Sequence, residues 1–250
     1  MDEILSDSEL MRYSRQISLK GMDIDGQELL KQSRVLMIGA GGLGCTAALY
    51  LTVAGIGHLT LVDFDTVDVS NLQRQVLHTD ANVGQAKVDS AKASLLQHNP
   101  HLSIDTINQV LDDPEIDALV AEHTIVVDCT DNLMVRNQLN RACFKHKVPL
   151  VSAAAIRMEG LITVFNYQAA QPCYHCFSSL FGEQQLSCVE AGILAPVVGM
   201  MGCLEATEAI KVITGMGKPL YGRILMVDAM TMEFREMKLP KQPNCAVCGH

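Results

Sequence analysis

Three groups of residues have types and spacing that could do chemistry. The first is a glycine turn. The run VLMIGAGGLGCTAAL carries Gly39, Gly41 and Gly44 in the pattern G-x-G-x-x-G, between an apolar stretch and a helix-forming one. Glycine lets the backbone approach a phosphate closely, and the following helix aims free N–H groups and its positive end at the anion. Asp63 closes the next apolar run, HLTLVD, where a carboxylate can accept from ribose hydroxyls. This much fits NAD, FAD or ATP.

The second group separates those ligands. The loop DFDTVDVSNLQRQ places Asp63, Asp65, Asn71, Gln73 and Arg74 together, and Lys87 follows on the next helix-forming stretch. A dinucleotide pyrophosphate is well served by a helix end alone. A triphosphate undergoing cleavage gathers further charge in its transition state and needs cations such as Arg74 and Lys87. Asp131, in VVDCTDN, offers the hard oxygen that magnesium requires, on the same crevice. ATP with magnesium is therefore the expected ligand. The plain alternative is a set of solvated loop charges.

The third group is Cys173, Cys176, Cys245 and Cys248, two C-x-x-C pairs separated by a long insert. Two such knuckles complete a tetrahedron of thiolates around one structural Zn2+ per chain. A site closed by four sulfurs has no open position for catalysis, and it would pin the end of the chain against the body. The alternative is a set of redox dithiols or free thiols. His175 and His250 read as bystanders. Cys45, Cys129, Cys143 and Cys203 lie in apolar or helical settings and read as small core residues.

The elements that position these groups alternate. RVLMIG, HLTLVD, LSIDTIN, TIVVDCT and VPLVSAA read as strands, with helices over residues 43–53, in GQAKVDSAKASLLQ, and near DPEIDALVAEH and NLMVRNQLNRACFKH. Gly55 is placed to end the first of these helices. That alternation predicts an α/β fold with a Rossmann-like, doubly wound, mainly parallel sheet. After Ala155 the pattern changes to GLITVFNY, RILMVDA and EFREMKL, a more antiparallel part, with a long helix over about 196–213. Ser6 and Glu9 fit a capping box ahead of LMRYSRQISL. The expected organisation is one domain over 1–250: a helical arm (1–32), a nucleotide-binding part (33–155) and a part for zinc and partner binding (156–250).

A net charge of −9 and a pI near 5.3 argue against nucleic acid as partner. AGILAPVVGMMGCL is too short to span a bilayer. The acidic MDEILSDSEL carries no basic apolar leader, so a cytoplasmic setting with reduced thiols is expected. The thirteen methionines are expected mostly in the core. GMMGCLEATEAIKVITG reads as a buried helix.

Together RYSRQISL, VLMIGAGGLGC, LVDFDTVDVSNLQRQ, VGQAKV, VVDCTDN and the two C-x-x-C pairs resemble the MoeB/ThiF/HesA family, bacterial relatives of the ubiquitin-activating enzymes. AIRMEGLITVF, SLFGE and CVEAGILAP favour the branch that activates the small subunit of molybdopterin synthase over the thiamine-pathway branch. The resemblance implies ATP-dependent adenylylation of the C-terminal glycine carboxylate of a ubiquitin-like sulfur carrier ending in Gly-Gly. It implies a homodimer, and a heterotetramer once two carriers bind. Carried over by residue, it places Gly42 on the phosphates and Asp63 on ribose. Ser70, Asn71, Leu72, Gln73 and Arg74 would contact the nucleotide, and Lys87 would approach the phosphates. Asp131 would position Mg2+ with Asn132 beside it. Arg15 would reach the triphosphate from the other subunit. The segment 178–190 would lie over the path of the partner's tail, and Cys188 within it would be a candidate for a covalent link. Within the family the alternative is the same chemistry on the thiamine-pathway sulfur carrier, or on several carriers, and two other classes remain open, a nicotinamide or flavin oxidoreductase and a silent scaffold. Neither gives Arg74, Lys87 and Asp131 a task.

Overall fold

The computed structural model describes residues 4–180 and 192–249. Cys188, His250 and all but the first three residues of the 178–190 segment therefore lie outside the described residues. Ser6 accepts from the Glu9 amide while the Glu9 carboxylate accepts from the Ser6 amide. This reciprocal cap starts helix α1 (Asp7–Ile17). Helix α2 (Asp23–Gln32) follows. Then come β1 (Arg34–Ile38), α3 (Gly42–Ala54), β2 (His58–Val62), α4 (Lys87–His98), β3 (Ser103–Ile107), α5 (Asp113–Ala121), β4 (Ile125–Asp128), α6 (Leu133–His146) and β5 (Leu150–Ile156). The chain finishes with β6 (Glu159–Phe165), α7 (Tyr174–Ser178), α8 (Ala195–Thr214), β7 (Arg223–Asp228) and β8 (Glu233–Lys238).

The eight strands form one sheet in the order β3-β2-β1-β4-β5-β6-β7-β8. The first five are parallel, in register Leu36↔Thr60 and Leu36↔Val126 across the centre. From β5 onward the pairing is antiparallel. The expected change of character after Ala155 is this change of direction. Parallel strands are covered on both faces, so β1 and β4 read as unbroken apolar runs. One face packs under α3, α4 and α8 through Leu51, Leu95 and Met201, and the other under α5 and α6 through Ile116 and Leu139. No described helix is long and apolar enough to cross a membrane.

Three details differ from the sequence reading. Helix α2 was not anticipated as a separate element, because DIDGQELLKQ is polar and carries an internal glycine. Cys203 is half-exposed rather than a core residue. The methionines are not mostly buried: Met11, Met134, Met230, Met232 and Met237 are exposed, three of them on or beside the outer β7–β8 hairpin, all of whose β8 residues face solvent.

Candidate functional site

The glycine turn leaves the C-terminal end of β1, at the point where the strand order reverses between β1 and β4. Ligands of such sheets bind in the crevice outside that point. Gly39 has φ +101°, and a Cβ there would lie 2.7 Å from the Cys129 carbonyl at the end of β4; one on Gly44 would lie 1.9 Å from the Gly39 carbonyl. The turn is thus closed to larger residues at both positions. The peptide at Ala40 is clamped from two sides. Its N–H donates to Asp63 Oδ2 (2.7 Å), and its carbonyl faces His78 Nε2 at 3.4 Å. Burial pushes His78 below its usual pKa, and Ser90 Oγ stands 2.9 Å from Nδ1.

Asp63 also accepts from the Asp65 amide at 2.8 Å, so it orders the turn and the following loop together. In that loop Asp68 caps a short 3-10 turn (Val69–Asn71) by accepting from the amide and hydroxyl of Ser70. Leu72 is half-buried and its amide closes that turn on the Val69 carbonyl; Gln73 is exposed. The Arg74 guanidinium donates to the Ser70 carbonyl at 3.1 Å, and its stem lies 3.4 Å from where Gly42 would carry a Cβ. Lys87 opens α4, is 6% exposed, and holds its ammonium 2.7 Å from the carboxylate of exposed Asp65. The structure therefore gathers Gly42, Asp63, Arg74 and Lys87 around one crevice.

Asp131 and Asn132 approach the crevice from the end of β4. Asn132 caps α6, accepting from the amides of Met134 and Val135 at 2.9 and 3.3 Å. Asp131 is exposed and lines a cleft of about 490 Å3 with Asn132, Met134 and Asn137. Beneath this loop lies a buried polar cluster that the sequence reading missed. Arg136 donates to the carbonyls of Thr130 and Ala153 and stands 3.7 Å from Asp128. Asp128 in turn accepts from Ser152 Oγ at 2.9 Å. Glu205 is fully buried, and burial and the Asp128 charge push its carboxyl well above the usual range. The signal for Arg136 was a cation sharing the buried helical face of Leu139, Asn140 and Cys143.

Arg15 lies elsewhere. Its neighbour Gln16 donates to the Ala54 carbonyl at 2.9 Å, at the C-terminal end of α3. The glycine turn is at the other end, so the thirteen residues of α3 put about 20 Å between them. Arg15 is exposed and makes no hydrogen bond or ion pair through its side chain among the described residues.

The four cysteines of the two pairs are all buried, with their sulfurs within 4.8 Å of one another. Cys173 and Cys245 are 3.6 Å apart, and Cys176 and Cys248 are 3.4 Å apart. Sulfurs held on zinc at about 2.3 Å stand roughly 3.8 Å from one another, so the cluster fits that ion. Its surroundings fit thiolates too: the Gln242 amide donates to Cys176 Sγ at 3.4 Å, and Asn140 Nδ2 to Cys173 Sγ at 3.7 Å. Burial pushes the Cys173 thiol up to about 11 and raises Cys248 as well, while, against the same burial, the amides of Cys248 and Val247 hold Cys245 down to about 7.

Residues 13–247 match the ThiF family. The chain is 63% identical to the molybdopterin-synthase adenylyltransferase of Escherichia coli (strain K12), over 98% of each chain. It is 56% identical to the protein of the same name from Haemophilus influenzae, over 94% of this chain and 97% of that one. Among solved structures, E. coli MccB with ATP superposes with a TM-score of 0.83 at 25% identity, covering 96% of this chain and 75% of that one. PaaA superposes with a TM-score of 0.82 at 28% identity, covering 97% and 77%.

Proposed function

The chain belongs to the ThiF family, and from that premise we propose that it is an adenylyltransferase of molybdenum cofactor biosynthesis. Its protein substrate is a ubiquitin-like sulfur carrier, the small subunit of molybdopterin synthase, and its setting is the cytoplasm. The observation that carries this reading is the crevice itself. The glycine turn packs against Arg74 and the end of β4, with Lys87 at the start of α4 beside the neighbouring loop and Asp131 just beyond β4, a cation and carboxylate set that a nicotinamide site has no use for.

In the reaction, a carboxylate oxygen of the carrier's last glycine attacks the α-phosphorus of ATP. A C–O–P bond forms, the bond from Pα to the bridging oxygen breaks, and its electron pair leaves with pyrophosphate. No proton need move. Gly42 and its neighbours bind phosphate through backbone amides, and Asp63 binds ribose. Ser70 to Arg74 border the nucleotide, with Arg74 and Lys87 offsetting the charge that grows on the phosphates. Asp131, beside Asn132, would hold magnesium, which would neutralise phosphate oxygens. Residues 33–155 form the nucleotide part and 156–250 the carrier part. The exposed Met230, Met232, Phe234 and Met237 support the latter, since such side chains suit a protein partner.

Arg15 stands too far from its own glycine turn to serve it, which supports delivery to a partner subunit's site in a homodimer. A second hollow, lined by Gln16, Tyr50, Val53, Cys203 and Ile210, puts exposed apolar surface beside Arg15 and suits a contact between copies; two carriers then give a heterotetramer. The four cysteines hold one structural zinc.

ATP–pyrophosphate exchange tests the proposal: it is expected only with the carrier present, and to vanish when the carrier loses its last glycine. Exchange without any carrier, or none with it, would refute the reading. For the zinc, metal analysis should give one ion per chain, and chelation should lower the melting temperature; full stability without metal would remove it.

A further inference from the structure

The carbonyl of Ala40 is turned aside from the helix it precedes. The first bond of α3 runs from the Cys45 amide to the Gly41 carbonyl at 2.8 Å. One residue earlier, the Ala40 carbonyl takes no backbone amide among the described residues. It meets two side chains instead. Cys45 Sγ donates to it at 3.3 Å, and His78 Nε2 lies 3.4 Å away. Burial pushes the Cys45 thiol up to about 12, so the sulfur keeps its proton. A carbonyl only accepts. His78 therefore carries its proton on Nε2, and Nδ1 accepts from the Ser90 hydroxyl at 2.9 Å. Both anchoring side chains are buried.

A trans peptide is planar, with its C=O and N–H pointing opposite ways. The Ala40–Gly41 peptide is trans. With its carbonyl drawn onto Cys45 and His78, its Gly41 N–H points away from them, toward the open end of α3. That amide and those of Gly42 and Leu43 have no acceptor among the described residues, and all three residues are only half-buried. A released carbonyl would be free to swing back and take the Gly44 amide four residues on, as in an ordinary helix. The flip would carry the Gly41 N–H away from any anion at the turn.

Resting on the adenylylation reading above, we propose that His78 and Cys45 are positioning residues for phosphate: by anchoring the Ala40 carbonyl, they aim the Gly41 N–H at a phosphate oxygen of ATP. Neither touches the nucleotide. Both act through one peptide plane, which glycine on its far side leaves easy to rotate.

The test turns on where a donor sits. His78→Gln keeps an amide N–H near the place of Nε2, and His78→Met fills similar space without a donor. Cys45→Ser keeps a donor, and Cys45→Ala removes it. Calorimetry is run with magnesium and α,β-methylene ATP, and separately with adenosine. His78→Gln and Cys45→Ser are expected within about threefold of the wild type on both ligands. His78→Met and Cys45→Ala should bind the ATP analogue about tenfold more weakly, the worth of one hydrogen bond to a charged group, and adenosine as the wild type does. In enzyme labelled with 15N-glycine, the Gly41 amide resonance should move downfield when the analogue binds the wild type and hold still in His78→Met. Equal affinities across all variants, equal losses in His78→Gln and His78→Met, a loss shared by adenosine, or a Gly41 resonance that responds alike in all would each overturn the assignment. A wild type that ignores the analogue and takes up NAD would overturn the adenylylation reading together with this one.

Discussion

At the scale of single residues, the nucleotide crevice separates groups that hold the turn from groups free to act. Asp63 and His78 clamp the Ala40 peptide. Lys87, by contrast, rests on Asp65, whose carboxylate is half in water. Lys87 itself is buried, so the pair counts for more than an exposed one, but the open side at Asp65 lets Lys87 exchange one anion for another. Lys87→Met, which keeps the buried stem, is therefore expected to melt close to the wild type while losing at least about a hundredfold in exchange rate. Arg15→Ala should lose about a thousandfold, as an arginine finger does. Mixing the two inactive variants puts one intact site in each mixed dimer, so about a quarter of wild-type activity should return. An inactive mixture would place Arg15 outside the partner's site. The charged set was legible in the sequence because its members sit in one loop and at the ends of strands. Gln75 was not, since nothing in its position beside Arg74 says that its side-chain oxygen is buried with no hydrogen-bond partner among the described residues.

At the scale of elements, the parallel half of the sheet was legible because its strands are apolar runs with glycines and caps between them. Ser6 and Glu9 gave the start of α1, and Gly55, at φ +93°, ends α3. The short α7 escaped because five residues, one of them a metal-type cysteine, carry no helical period. The outer hairpin misled because its apolar residues resemble core until the sheet order puts β8 at the edge. The α1 cap makes a pH prediction. Burial alone would raise the Glu9 carboxyl, but Lys31, at 2.6 Å, and Ser6 pull it from the usual 4.5 to about 2. A depressed acid stabilises the fold above its unfolded pKa and loses that contribution as pH falls through its folded one. Between about pH 4.5 and 2, the wild type should lose at most roughly 3 kcal/mol relative to Glu9→Gln. Urea melts across that window check it; parallel curves would remove Glu9 from the account.

At the scale of the whole molecule, one sheet does two jobs by changing direction. Its parallel half makes the crevice at the β1–β4 reversal, and its antiparallel half carries an exposed apolar edge next to a four-cysteine knot. The glycine turn alone left the bond to be made undecided among three nucleotides. Membership of the ThiF family, with relatives named as adenylyltransferases, narrows that to ATP and to transfer of its adenylyl group. Incubation of the enzyme and its carrier with ATP labelled at either the α- or the γ-phosphate tests that most directly. Label on the carrier from α-labelled ATP, and none from γ-labelled ATP, is the predicted result. Label from the γ-position, or a carrier left unlabelled by both, would contradict it.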